Sequence, residues 1–186
     1  MKPAATLTIS FDPTNMAVWA PLLGGGIGIP TPLGISLRTF LCDGLGMAGD
    51  YLDNRVQTIL LNSRPVDDVQ QTIVADGDVI ALSAAMPGLA GATLRRGGHL
   101  AAMRAGISQK RPDGTGSTSS TGVVVLKLFN LIAREMGPLV LSREIWLRNK
   151  DFEALRRQQI VPASLKTEAG PGDWIAIQPA KPPKAS

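Results

Sequence analysis

The chain has 186 residues, 44% hydrophobic and 18% charged, which is enough apolar material for a packed core and excludes a chain disordered throughout. A single cysteine, Cys42, and a single histidine, His99, exclude an internal disulfide framework, a cysteine-rich zinc site and a histidine-pair metal site. The net charge of +4 is concentrated, because Arg95, Arg96, Arg104, Lys110 and Arg111 follow one another with no acid between them. Aromatics are only 4%, so the core must be aliphatic, and 20 Gly with 14 Pro predict much turn and irregular chain.

In chain order, Ala5–Phe11 alternates, with Leu7, Ile9 and Phe11 on one face, and predicts a half-buried strand. Asp12-Pro13-Thr14-Asn15 is turn chemistry, and the apolar run Met16–Leu23 is expected to return as a hairpin partner. Gly24-Gly25-Gly26-Ile27-Gly28-Ile29-Pro30 is expected to break regular structure as an inserted flexible loop. It lacks the Gly-Lys-Ser/Thr ending of a phosphate-binding loop and the third spaced glycine of a dinucleotide site. No charge falls between Pro13 and Leu37. The prolines and glycines there would leave backbone groups unpaired in lipid, so no membrane span is expected. The first residues lack the apolar core of a signal peptide, and the expected location is cytoplasmic.

Ser36 is placed to cap a helix carrying Leu37, Phe40 and Leu41, with Gly44 and Gly46 as its stop. Val56–Leu61 reads as a strand, Asn62-Ser63-Arg64-Pro65 as a turn, Asp76-Gly77-Asp78 as a tight turn and Val79–Leu82 as a buried strand. The stretch 112–121 has nothing apolar to bury and reads as linker. Beyond it, Val125, Leu128, Phe129, Ile132 and Met136 recur at spacings of three and four. They predict an amphipathic helix that ends or bends at Gly137-Pro138. Ile145–Leu147 predicts a strand, Asp151 a capped short helix with Phe152 and Leu155, and Gly172–Ile177 a turn and closing strand. That last segment echoes Gly77–Leu82, but six positions are too few to establish a duplication. Trp146 and Trp174 are expected to share one small core. The tail 181–186 is expected to be loose.

The wording Ser36–Leu41, then Val56–Leu61, Asn62-Ser63-Arg64-Pro65-Val66 and Asp76-Gly77-Asp78-Val79-Ile80-Ala81-Leu82 resembles the β-grasp sulfur-carrier group. That group comprises the small subunit of molybdopterin synthase and the thiamine sulfur carrier, relatives of ubiquitin. The resemblance covers roughly residues 5–98. It implies an α+β protein with these parts: a β-grasp domain over 1–94, a basic Gly/Ser-rich connector over 95–121, a small α+β module over 122–180 and the tail. In that family a C-terminal Gly-Gly is adenylated and becomes a thiocarboxylate. Leu94-Arg95-Arg96-Gly97-Gly98 resembles such a tail, so Gly97 and Gly98 are the candidate carrier residues, with Arg95, Arg96 and Arg104 as partner-binding cations. Two departures stand against it. Gly98 is followed by 88 residues, so it has no free carboxylate without cleavage, and its distance from Leu82 is long. The bland alternative is a loop glycine pair.

The basic run has no aromatic residue for base stacking, so nucleic acid is not the expected partner; the run reads first as a solvated arm and second as a surface for an acidic protein or an anionic cofactor such as a pterin phosphate. A protein is expected, either an activating enzyme or the larger subunit of an enzyme. Cys42 falls late in its helix and reads as an inert thiol; His99 has no nucleophile suggested beside it. No cofactor, metal or catalytic pair is implied, and the chain reads as a non-enzyme. The two functions carried forward are a carrier activated at Gly98 after cleavage and an uncleaved subunit that binds or assembles a larger complex.

Overall fold

A computed structural model describes residues 2–11, 16–85, 88–98 and 120–180. The elements in chain order are β1 (Ala5–Ile9), α1 (Met16–Gly25), β2 (Ile27–Pro32), α2 (Leu37–Thr39, continuing as a π-helical turn over Phe40–Gly44), α3 (Gly49–Asn54), β3 (Thr58–Leu61), β4 (Arg64–Pro65), β5 (Val79–Ser83), α4 (Gly88–Leu94), β6 (Thr121–Phe129), α5 (Asn130–Leu141), β7 (Ile145–Arg148), α6 (Asn149–Arg157) and β8 (Trp174–Pro179). The protein is therefore a mixed α and β structure, as expected.

The strands form one eight-stranded sheet in the order β1-β8-β7-β2-β6-β5-β3-β4. β1 runs parallel to β8 and β6 parallel to β5, while the other neighbours are antiparallel. The boundary expected at 95–121 does not divide this sheet. β6, from beyond it, lies between β2 and β5, and β1, from before it, pairs with β8. The two halves are interleaved.

Side-chain parity gives the sheet two unlike faces. Ile27, Ile29, Ile59, Leu61, Ile80, Leu82, Val124, Leu126, Leu128, Ile145, Leu147, Ile175 and Ile177 are buried in one aliphatic cluster with residues of α1, α2, α3, α5 and α6. The opposite face carries a smaller cluster of Val123, Trp146, Trp174 and Ala176. The two tryptophans thus share a core, as their positions in short strands predict. Gly28 sits beneath them. A Cβ there would come within 2.9 Å of Val123, 3.0 Å of Trp146 and 3.1 Å of Trp174, so β2 has glycine at its one pairing position with β7. Beyond Gly28 that edge of β2 is free of β7, which accommodates Pro30 and Pro32.

Three expectations are corrected. Met16–Leu23 is helix α1, not a hairpin strand. Pro21 is poorly suited to an inner strand, whereas Trp19 and Leu23, four apart, bury the same helix face. Gly24–Pro30 is not a flexible insertion. Gly24 and Gly25 end α1, Gly26 turns the chain at φ +110°, and β2 follows. The helix expected from Val125 begins only at Asn130, because Val125, Leu128 and Phe129 belong to β6. The face of β6 away from the helices carries Val123, Val125 and Phe129 with Lys127 as its one charged residue, so the strand shows little of the polar alternation that marks a half-exposed strand, although Phe129 is exposed and Val125 and Lys127 are half-buried. α5 then runs through Pro138 to Leu141.

The repeated turn–strand wording marks β5 and β8, both inner strands with one parallel and one antiparallel neighbour. Viewed from the helical face with the inner strand pointing up, β1 and β6 lie on opposite sides of it. No rotation that keeps the helical face on the same side superposes β1-β8-β7 on β6-β5-β3, so the echo does not mark two copies of one strand arrangement packed under helices in the same way.

Local rules position the helical layer. Ser36 is extended (φ −67°, ψ 153°) and its Oγ accepts from the Thr39 amide at 3.0 Å, the predicted N-cap. Leu37, Phe40 and Leu41 are fully buried, and Gly46 leaves the π-helical turn at φ +73°. α3 is tied to α5 by Glu135, which accepts from Tyr51 Oη at 2.6 Å and from Arg55 Nε at 3.0 Å. The hydrogen bonds from Arg55 and Tyr51 hold the Glu135 carboxyl down at about 2.

Two outcomes test this packing. A Cβ on Gly122 would lie 2.6 Å from Asp76 Oδ1 and 2.8 Å from Leu33 Cδ1, so Gly122→Ala is expected to lower unfolding free energy in urea by about 1–3 kcal/mol. Because the folded pKa of Glu135 lies below its ordinary 4.5, its contribution is complete above that value and is lost as pH falls through about 2. The pair is surface-exposed, so Glu135→Gln is expected to cost about 1 kcal/mol or less at neutral pH, with the difference from wild type closing near pH 2 in acid-unfolding curves.

Candidate functional site

The residues that carry the resemblance come together at one end of β5. Asn62 and Ser63 take left-handed conformations (φ 50° and 67°) and turn β3 tightly into β4. The Asn62 side chain donates from Nδ2 to Asp78 Oδ1 at 2.8 Å and accepts from the Val79 amide at 2.9 Å. Asp78 is buried, and its Oδ2 accepts from the Ala75 amide at 2.8 Å. Gly77 has φ +77° with open space around it, so it is glycine for its backbone angle and not for close packing. Asp76 Oδ1 accepts from the Val123 amide at 2.8 Å, while the Gly77 amide donates to Val123 O at 2.9 Å and the Val125 amide to Asp78 O at 2.8 Å. The Asp-Gly-Asp turn therefore grips β6, a strand more than 40 residues away in sequence.

The tail-like segment is docked. The Arg96 amide donates to Gln57 O at 2.8 Å. Arg96 Nη1 donates to Leu52 O at 3.1 Å, in the last turn of α3, and to Val56 O at 3.4 Å, just beyond it. Its guanidinium lies 3.9 Å from Asp53, which Arg38 holds through paired contacts of 2.9 and 3.1 Å. Burial pulls the Arg96 pKa below its ordinary value, partly opposed by Asp53, and the Arg38 hydrogen bond holds the Asp53 carboxyl below its own. Arg96 thus closes a helix end. Arg95 is exposed, Gly97 is exposed at φ +62°, and the Gly98 amide donates to Arg95 O at 3.3 Å. Arg104 and His99 lie outside the described residues, as do Lys110, Arg111 and the tail 181–186.

Cys42 is half-buried in the π-helical turn, and burial pushes its thiol up, which fits an inert cysteine. Arg148 stacks 3.8 Å over the Trp174 ring, and Trp146 Nε1 donates to Glu144 at 2.9 Å. Asp151 sits in the first turn of α6, whose N-cap is Arg148. Among the described residues no group of three or more His, Cys, Asp or Glu side chains is placed to hold a metal, and no helix is long and apolar enough to cross a membrane.

At the ends of β5 and β6 a concavity of about 310 Å³ is lined by Thr58, Leu60, Ala81, Leu82, Ser83, Phe129 and Asn130. A second, shallower one of about 410 Å³ lies on the other side of Phe129, against α1 and the start of α5. Phe129 and Leu131 are the large apolar side chains left exposed there. Only the strand register assembles these walls: Thr58 faces Ser83, which faces Phe129, and Leu60 faces Ala81.

The chain matches no protein-family model, and searches of the curated proteins and of the solved structures return no match.

Removing the grip on β6 is expected to be costly. Asp76→Ala leaves the Val123 amide without its acceptor, and a loss of about 1.5–3 kcal/mol is expected in denaturant unfolding.

Proposed function

We propose that the intact chain is a non-catalytic subunit that binds or assembles a larger enzyme complex, on a β-grasp-like framework resembling the sulfur carriers. The observation that carries this reading is the position of β6 between β2 and β5. The run β2-β6-β5-β3-β4 with the Ser36-capped helix supplies a small curved sheet under a helix, but its β6 comes from residues 121–129. The β-grasp-like unit is then not the segment 1–94. It is assembled from both sides of the basic connector.

This weighs against a carrier released by cleavage after Gly98. A free 1–98 fragment would lose the buried Val124, Leu126 and Leu128. At about 1.5–3 kcal/mol per side chain that is about 5–9 kcal/mol, comparable with the whole stability of an ordinary domain. It would also leave the facing edges of β2 and β5 unpaired. The tail would have to give up the three Arg96 contacts to the end of α3 as well.

The test is intact mass and co-purification from the native cell. Full-length chain with a larger protein in fixed ratio is expected; a species ending at Gly98, with sulfur in place of oxygen, would return the carrier reading to first place. A protease site placed within 112–119 supplies the structural half of the test. The nicked halves are expected to co-elute on gel filtration, and fragment 1–98 made alone is expected to lack cooperative unfolding.

A further inference from the structure

The face of β3, β5 and β6 opposite the large aliphatic cluster ends in the concavity of about 310 Å³, roughly twice an engineered cavity that takes up benzene. No charged side chain is among its described lining residues, so these residues offer an ionised ligand no counter-charge for the hydration it would lose. Its walls are the aliphatic Leu60, Ala81 and Leu82 and the ring of Phe129, itself 39% exposed at the rim.

The polar groups of the wall are not equivalent. Asn130, held at φ 53° where β6 becomes α5, donates from Nδ2 to Ser83 Oγ at 3.4 Å and to Ala85 O at 3.1 Å. Ser83 Oγ donates to Ala85 O at 3.1 Å. These two side chains satisfy one another. Thr58 is different. It is 2% exposed, it shares the face of Leu60, Ala81 and Ser83, and its hydroxyl has no hydrogen-bond partner among the described residues. The Thr58 oxygen is not one of the fully buried unpaired side-chain atoms, so it keeps access to the concavity, and a ligand acceptor placed against it takes the place of water.

We propose that this concavity is a binding site for a small, uncharged, largely apolar molecule that presents one carbonyl oxygen to the Thr58 hydroxyl. Apolar contact with Leu60, Ala81 and Phe129 supplies affinity, and the single hydrogen bond sets orientation. The site stands apart from the proposed assembly role and does not depend on it, since it rests on one wall of the sheet and not on any partner.

The full-length protein is titrated with prodan, a dialkylamino-naphthyl ketone whose emission moves to the blue in apolar surroundings, and separately with naphthalene, which lacks the carbonyl. Saturable binding of the ketone is expected. Ala81→Phe fills the concavity and is expected to abolish saturation. Thr58→Val keeps the shape and removes the hydroxyl, and is expected to weaken the ketone roughly five- to tenfold while leaving naphthalene within about twofold. The idea fails if wild type shows no saturable ketone binding, if folded Ala81→Phe binds as wild type does, or if Thr58→Val weakens both molecules alike. Should Ala81→Phe not fold, the ketone-to-naphthalene ratio in Thr58→Val decides by itself.

Discussion

The backbone of β6 is hydrogen-bonded on one side to β2 and on the other to β5, and Val124, Leu126 and Leu128 on its helical face are buried. Such a strand has no solvent alternative. Each amide and carbonyl left without its neighbour would sit buried and unpaired, at a cost no single side chain offsets. The rest of the fold is arranged to keep it there. Asp76 and Gly77 hold Val123 at one end, Gly122 lets Asp76 and Leu33 come close, and Asn130 ties the other end to Ser83 and Ala85.

The interleaving follows from that insertion. α1 carries the chain from β1 to β2 across β8 and β7, and α5 carries it from β6 to β7 across β2. The two crossover helices pack on each other, with Met16 and Leu23 against Gly137, where no side chain would fit. Neither half buries its own apolar surface alone. That couples the fate of the basic connector to the stability of the whole: a cut there removes the covalent link between segments that have already become one core. It is the physical reason behind the proposal that the chain acts uncut.

The same sheet leaves two different surfaces to do chemistry or recognition. The helical side is closed by a continuous aliphatic core. The opposite side is closed in one place by the two tryptophans and Arg148, and among the described residues forms a concavity in another, where β3, β5 and β6 end around Thr58 and Phe129. The Arg95–Gly98 segment, which the resemblance singles out, is held against the end of α3 by its second arginine, so that arginine serves the fold before it serves any partner.

Much of the local structure is legible in the amino-acid order. The Ser36 cap, the Asn62-Ser63 and Gly77 turns, the inner strands β3, β5, β7 and β8, and the shared tryptophan core all follow from short-range rules. Those rules act through backbone angles and neighbouring side chains, and they are the same wherever the segment ends up. They are silent on partners. The strand character of Val123–Phe129, the pairing of β1 with β8 and the walls around Thr58 were settled only in three dimensions. Each depends on which distant groups satisfy a buried backbone or cover an apolar face, and spacing along the chain carries no record of that.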